Sequence, residues 1–122
     1  MLSTTIKSGD WKGEKHVPVI EAPDTFKPGE EIEVKVSIGK EIPHPNTDKH
    51  HICWIKVFFQ AEGKPPFEVG TVEFNAHDED HKLFSSYKGS VYFKAETAGK
   101  IQAVSFCNIH GLWENEKEIK LA

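Results

Sequence analysis

The sequence predicts an all-β fold, an immunoglobulin-like antiparallel β-sandwich of about seven short strands. Residues Glu31–Ile38 alternate strictly between polar and apolar side chains, which is typical of a strand with one buried face. Further β-rich runs follow at short intervals, separated by glycine and proline residues. No window keeps a helical period, so we expect strands to dominate.

Turn residues bound each candidate strand. The first candidate, Val17–Glu21, is the weakest and ends just before Pro23. The alternating run then lies between Gly29 and Gly39. The breaks before the later runs fall at Gly63 with Pro65 and Pro66, at Gly89, at Gly99 and at Gly111. In chain order the candidates are Val17–Glu21, Glu31–Ile38, Ile52–Gln60, Phe67–Asn75, Ser90–Glu96, Lys100–Phe106 and Glu116–Leu121.

Length and charge limit the possible functions. A chain of 122 residues fits one domain, residues 1–122, and is long enough to bury a core. The formal net charge of −4 gives no support for a nucleic-acid partner, which would need a basic surface. The apolar runs are too short to span a membrane, and the first twenty residues contain no apolar stretch of signal-peptide type. We therefore expect a cytoplasmic protein without a membrane partner.

The two cysteines differ in their surroundings. Cys53 lies inside an apolar run, where a small buried hydrophobic residue is the simplest interpretation. A disulfide between Cys53 and Cys107 is the alternative, but a reducing cytoplasm disfavours it. Such a bond would also consume a thiolate around which several histidines are arranged.

Four of the seven histidines form a metal-ligand candidate set with Cys107. Cys107 and His110 have a spacing that lets two ligands from one turn reach one ion. His44 lies between two prolines in a stiff loop that cannot be a central strand, and His50 closes that loop. His16 lies far upstream, before the first candidate strand. Each of these residues falls where the strand pattern fails or ends, so we predict a metal site on loops at one end of the sandwich.

The number and type of ligands favour one metal over two others. A closed structural zinc site usually has four ligands, often with more sulfur. A blue-copper site also pairs a late cysteine with a histidine, but it usually takes an axial methionine, and the only methionine here is Met1. Four imidazoles and one thiolate suit a six-coordinate ion with one exchangeable position. Iron fits best, and a zinc-stabilised sandwich without catalytic activity remains an alternative.

The other three histidines are weaker candidates. His51 adjoins His50 and would point the other way in an extended chain, so we interpret it as a supporting or surface residue. His77 and His81 lie in an acidic segment, where a solvated loop is the simplest interpretation.

The sequence resembles the superoxide reductases, and within them the short single-iron form called neelaredoxin. The resemblance runs along essentially the whole chain. It is carried by Ser8–Gly13, Glu14–Pro18, Ile42–Asn46, His50 with His51, and Cys107–Trp113. The four-cysteine iron site of the two-domain desulfoferrodoxins has no counterpart here.

The resemblance implies a role for each site residue. His16, His44, His50 and His110 would be the equatorial ligands of one Fe²⁺/Fe³⁺ ion per subunit, and Cys107 its axial thiolate. Two further residues would face the reactive side: Glu14 as the sixth ligand of the ferric form, and Lys15 as the cation that attracts the anionic substrate.

The resemblance also implies the reaction and the partners. One superoxide, two protons and one electron would give hydrogen peroxide, without release of dioxygen. Rubredoxin would be the electron donor, and the protein would be a homotetramer. A cupredoxin-like electron carrier that binds no substrate is the alternative function.

Overall fold

The computed structural model describes all 122 residues and contains eight strands and one short helix. No helix is long and apolar enough to cross a membrane. The elements in chain order are α1 (Leu2–Thr5), β1 (Val19–Glu21), β2 (Thr25–Phe26), β3 (Glu31–Ser37), β4 (Ile52–Ala61), β5 (Phe67–Glu73), β6 (Lys88–Lys94), β7 (Gly99–Cys107) and β8 (Gly111–Leu121).

The strands form two sheets, which confirms the predicted all-β sandwich. One sheet has three strands in the order β1-β3-β6, and the other has five in the order β2-β8-β7-β4-β5. Neighbouring strands run antiparallel except for the short β2, which pairs with β8 in parallel. The two sheets enclose one hydrophobic core.

Strict alternation along β3 and β7 determines which side chains enter the core. On both strands every second residue is buried and its neighbours are at least partly exposed. This period of two is the expected consequence of an extended backbone with one covered face. The inward-facing set includes Ile32, Val34, Val36, Ile101, Ala103, Ser105 and Cys107. Cys107 therefore faces the interior from the last position of β7.

Several boundaries differ from the prediction. The last strand begins at Gly111, five residues before the predicted start at Glu116, because Cys107 and Gly111 close a tight hairpin between β7 and β8. Gly111 has a φ of +80°, a conformation that glycine adopts without steric cost. Strand β2 was not predicted, since two residues carry no periodicity. The single turn α1 is likewise too short to produce a helical period.

Cys53 is half-buried, which differs from its interpretation as a small buried hydrophobic residue. The register between β4 and β7 shifts between Ile52 and Trp54, which places Cys53 at the irregularity. Burial raises the pKa of the Cys53 thiol. Both cysteines are free thiols, so the disulfide alternative is excluded for this structure.

The sheets approach each other most closely where glycines of β5 and β6 face valines. A Cβ atom at Gly70 would lie 2.5 Å from the nearest methyl carbon of Val91, and one at Gly89 would lie 2.6 Å from Val72. Valine has one strongly preferred side-chain rotamer and cannot easily move aside. These two contacts therefore limit the side chains that the interface between the sheets can accept.

We expect Gly70→Ala to lower the free energy of unfolding by about 1–3 kcal/mol, because the added methyl group overpacks the core. Urea unfolding measures this change. Gly9→Ala is the matched control, since a Cβ there would meet no atom closer than 3.9 Å. Equal stability of the two variants would contradict this account of the packing.

Candidate metal centre

Four side chains from three separate segments converge at one end of the sandwich. The potential ligand atoms of His16, His44, His50 and Cys107 all lie within 4.8 Å of one another. His16 and His44 are each 6% exposed and Cys107 is completely buried. A buried group of three imidazoles and one thiol at this spacing is a metal-binding site.

A fourth imidazole completes a ring around this group. His16 neighbours His44 with ring centroids 4.8 Å apart, and His44 neighbours His50 at 4.7 Å. His110 lies between His50 and His16, with its ring centroid 5.1 Å from that of His50 and 4.9 Å from that of His16. The four rings thus follow one another in a closed circuit.

The sulfur of Cys107 lies beside this circuit of rings. Its Sγ atom is 3.6 Å from Nε2 of His44 and 3.7 Å from Nδ1 of His110. Nδ1 of His110 is also 3.2 Å from Nε2 of His16. The backbone N–H of His110 donates to the sulfur at 3.4 Å, which stabilises negative charge there. His110 therefore turns its Nδ1 toward the group, whereas His16 and His44 turn their Nε2 atoms toward it.

Hydrogen bonds on the outer nitrogens fix the tautomers of two rings. Nδ1 of His44 donates to the carbonyl oxygen of Pro45 at 2.7 Å. Nδ1 of His16 donates to Oε1 of Glu14, also at 2.7 Å. Each bond leaves the Nε2 lone pair directed inward and increases the basicity of the ring as a ligand.

The same environment favours the neutral form of His16, His44 and His50. Burial lowers the pKa of His44 to about 4, despite its bond to Pro45. Burial also lowers the pKa of His16 and, together with the charge of His110, that of His50. Neutral imidazole is the form that binds a metal, so no proton has to be removed near neutral pH.

The most direct sign that the site fits a metal is an unpaired atom. Nε2 of His50 is buried and has no hydrogen-bond partner. An unsatisfied buried nitrogen costs about 1–3 kcal/mol, and coordination to an ion would remove that cost. Imidazole nitrogens with one thiolate suit a transition metal and do not suit a hard cation such as Mg²⁺.

Glu14 and Lys15 act on the ring of imidazoles in different ways. Oε1 of Glu14 accepts from both Nδ1 and the backbone N–H of His16, at 2.7 Å and 3.1 Å. Burial raises the pKa of Glu14, but these bonds lower it by more, so the carboxylate is ionised. The positive charge of the half-buried Lys15 also lowers the pKa of His16, His44 and His50. Its effect is smaller than that of burial. Its positive charge therefore acts on the ligand group.

Two supporting residues were not identified from the sequence. Trp113 stacks on the ring of His16, with centroids 4.6 Å apart and an interplanar angle of 13°, and its Nε1 donates to the carbonyl of His110. Ser105 donates from its buried hydroxyl to the carbonyl of His16 at 2.9 Å. The inward alternation of β7 was the one signal that could have indicated Ser105.

The remaining histidines stay outside the ligand group. Nδ1 of His51 donates to the carbonyl of Thr47, and its ring stacks on that of His77 at 3.8 Å. His77 is half-buried, with its ring nitrogens 2.6 Å from Oδ1 of Asn46 and from the carbonyl of Phe74. The prediction that His77 is solvated was therefore wrong, because the 76–85 segment packs against the loop that carries His44.

Tyr87 joins this loop to the start of β4. Its hydroxyl donates to the carbonyl of Pro45 at 2.7 Å and accepts from the backbone N–H of Ile52 at 3.1 Å. The Pro45 carbonyl therefore receives one bond from Tyr87 and one from His44. Burial raises the pKa of Tyr87 from 10.0 to about 12.

The similarity of this chain to other proteins extends over nearly its whole length. The Desulfoferrodoxin family model matches residues 8–116. The chain is 53% identical over 121 residues to the superoxide reductase of Pyrococcus abyssi, covering 98% of this chain and 100% of that protein. It is 46% identical to the neelaredoxin of Megalodesulfovibrio gigas, with 94% of each chain covered. The structure of superoxide reductase (neelaredoxin) from Archaeoglobus fulgidus in the reduced form matches with a TM-score of 0.85 and 49% identity, covering 95% of this chain and 98% of that one.

We expect Tyr87→Phe to destabilise the fold at neutral pH by about 1–3 kcal/mol, because the buried Ile52 N–H loses its acceptor and Pro45 one of its donors. An unfolded tyrosine ionises near pH 10.0, whereas folded Tyr87 ionises at about 12. The stabilisation is therefore complete below pH 10 and decreases as the pH rises toward 12. In urea unfolding between pH 7 and pH 11.5, the difference in the free energy of unfolding between wild type and variant should become smaller. Lysines titrate equally in both proteins, so a constant difference would contradict the stabilising role of the Tyr87 hydroxyl.

Proposed function

Because this chain belongs to the desulfoferrodoxin family, we propose that it is an iron-dependent superoxide reductase that converts superoxide to hydrogen peroxide without releasing dioxygen. Its relatives are named superoxide reductase, an oxidoreductase class, so the resemblance read from the sequence is confirmed. The observation that carries the proposal is the circuit of four imidazole rings with a buried thiol beside it.

We propose five ligands for one Fe²⁺/Fe³⁺ ion per subunit. The metal-binding group of His16, His44, His50 and Cys107 supplies four of them. His110 would be the fifth, supported by the distances from its Nδ1 to His16 and Cys107. Iron bound there would supply the single electron that superoxide requires.

Cys107 would act through its electron density. Its sulfur is fully buried and accepts a hydrogen bond from the His110 backbone, so the thiolate stays away from solvent. A thiolate would donate electron density to a bound iron more strongly than an imidazole would. The hydrogen bond from the His110 N–H would moderate that donation and thereby adjust the reduction potential.

Lys15 and Glu14 would control access of the anion. The Lys15 charge reaches three of the ligand rings, which supports a role in attracting superoxide to a protein whose net charge is −4. Glu14 is the proposed sixth ligand of the ferric form. Its carboxylate would first have to leave Nδ1 of His16, so the two roles exclude each other. Gly13 precedes it, and the conformational freedom of glycine would allow such a movement.

The remaining assignments follow from the family resemblance. We propose rubredoxin as the electron donor, a homotetrameric assembly, a cytoplasmic location and a single domain spanning residues 1–122. A family match across residues 8–116 supports the single domain. The metal circuit supports a donor that docks at this end of the sandwich, since the exposed His110 is the ligand nearest to solvent.

The decisive experiment measures iron content and the optical spectrum, then adds superoxide to the reduced protein. We expect one iron per chain, a thiolate-to-iron charge-transfer band in the oxidised form, and oxidation by superoxide with formation of peroxide. Cys107→Ser should abolish the band, and Cys53→Ser is the matched control that should retain it. Zinc in place of iron would refute the proposal, and so would reversible redox cycling without any reaction with superoxide.

We expect Lys15→Ala to slow the bimolecular reaction with superoxide by about two- to fivefold at low salt, because one nearby positive charge is lost. The difference should shrink as ionic strength rises and the Debye length falls. Pulse radiolysis measures the rate. Lys64→Ala is the matched control, since Lys64 is exposed in the turn after β4, at the far end of that strand from His50. Equal rates for the two variants would remove the steering role.

A further inference from the structure

Asn108 bridges the two segments that carry most of the proposed ligands. Its Oδ1 accepts from the backbone N–H of His51 at 2.8 Å, and its Nδ2 donates to the carbonyl of Lys49 at 3.0 Å. Its own backbone N–H donates to the carbonyl of His51 at 3.1 Å. Three hydrogen bonds therefore connect the residue after Cys107 to the two residues on either side of His50.

This arrangement holds the backbone of His50 from both directions. The side-chain amide of Asn108 donates to the carbonyl of Lys49, which precedes His50, and accepts from the N–H of His51, which follows it. One side chain thus connects the backbone on both sides of His50 to the residue that follows Cys107. The hydroxyl of Thr47 also accepts from the His50 N–H at 3.2 Å. This bond lies within one loop, so it does not connect His50 to the segment that carries Cys107.

His50 depends on such support more than the two most buried rings do. The ring of His16 is held by the carboxylate of Glu14 and by stacking on Trp113. The ring of His44 is held by its bond to the Pro45 carbonyl. The His50 ring packs against the rings of His44 and His110 but takes part in no hydrogen bond, so hydrogen bonds reach His50 only through its backbone.

Only an amide side chain of this length satisfies both contacts. Oδ1 must accept and Nδ2 must donate at the same time. Aspartate lacks the donor, and alanine lacks both groups. Because Asn108 is exposed, its replacement leaves no cavity in the core.

We infer that Asn108 is a positioning residue of the metal centre, which holds His50 at its distance from Cys107 without touching the ion. This inference rests on the proposed iron site. It goes beyond that proposal because it assigns a function to a residue that supplies no ligand atom.

The test compares Asn108→Ala and Asn108→Asp with Asn75→Ala, a matched control because Asn75 is exposed and its side chain makes no hydrogen bond. The iron-loaded proteins are mixed with a chelator, and the release rate, the energy of the thiolate charge-transfer band and the reduction potential are measured. High salt screens the charge that Asn108→Asp introduces.

We expect Asn108→Ala to release iron about tenfold faster, with a shifted band, because loss of an outer contact weakens metal affinity by about 10–100-fold. Asn108→Asp, which keeps the acceptor, should be intermediate. Release and band equal to those of the control would overturn the inference, even if the variant unfolds more easily. If the wild type holds no iron, the proposed function fails, and the same release measurement with cobalt(II) then decides the role of Asn108.

Discussion

The inward position of Cys107 at the end of β7 determines how the metal centre is assembled. Alternation along β7 directs the thiol into the core, where no solvent reaches it. The chain then turns at once through Gly111 into β8, and this tight turn brings His110 back beside the sulfur. Loops from the start of the chain and from between β3 and β4 supply the other rings. The sandwich therefore provides one fixed ligand, and the loops are arranged around it.

Rigidity in the surrounding contacts allows short loops to hold this geometry. Each buried ring has a partner on its outer side: the Pro45 carbonyl for His44, and Glu14 with Trp113 for His16. These contacts select the tautomer and orient the lone pair before any ion binds, which reduces the free energy needed to organise the ligands. Burial keeps the same rings neutral. His16 and His44 thus already have the neutral form and the orientation that metal binding requires.

Pattern and composition were sufficient to predict a metal site that includes His16, His44, His50 and Cys107, but not the contacts that support it. The prolines around His44 and the three-residue spacing from Cys107 to His110 are local features that the sequence shows directly. The bond from Glu14 to His16 and the stacking of Trp113 depend on how distant segments meet. The same reason explains the errors in the fold. The hairpin at Gly111 and the register shift at Cys53 are set by pairing with neighbouring strands, and propensity does not encode them.

The closed and open sides of the ring differ because of where its ligands originate. Behind the sulfur lies the packed interior, where Ser105 of β7 and Ile52 of the neighbouring β4 are fully buried. No small anion can enter from that side without disrupting the core. His110 is exposed and Lys15 is half-buried, so solvent reaches the ring of imidazoles near these residues. The fold therefore closes the site beside Cys107 and leaves it open beside His110.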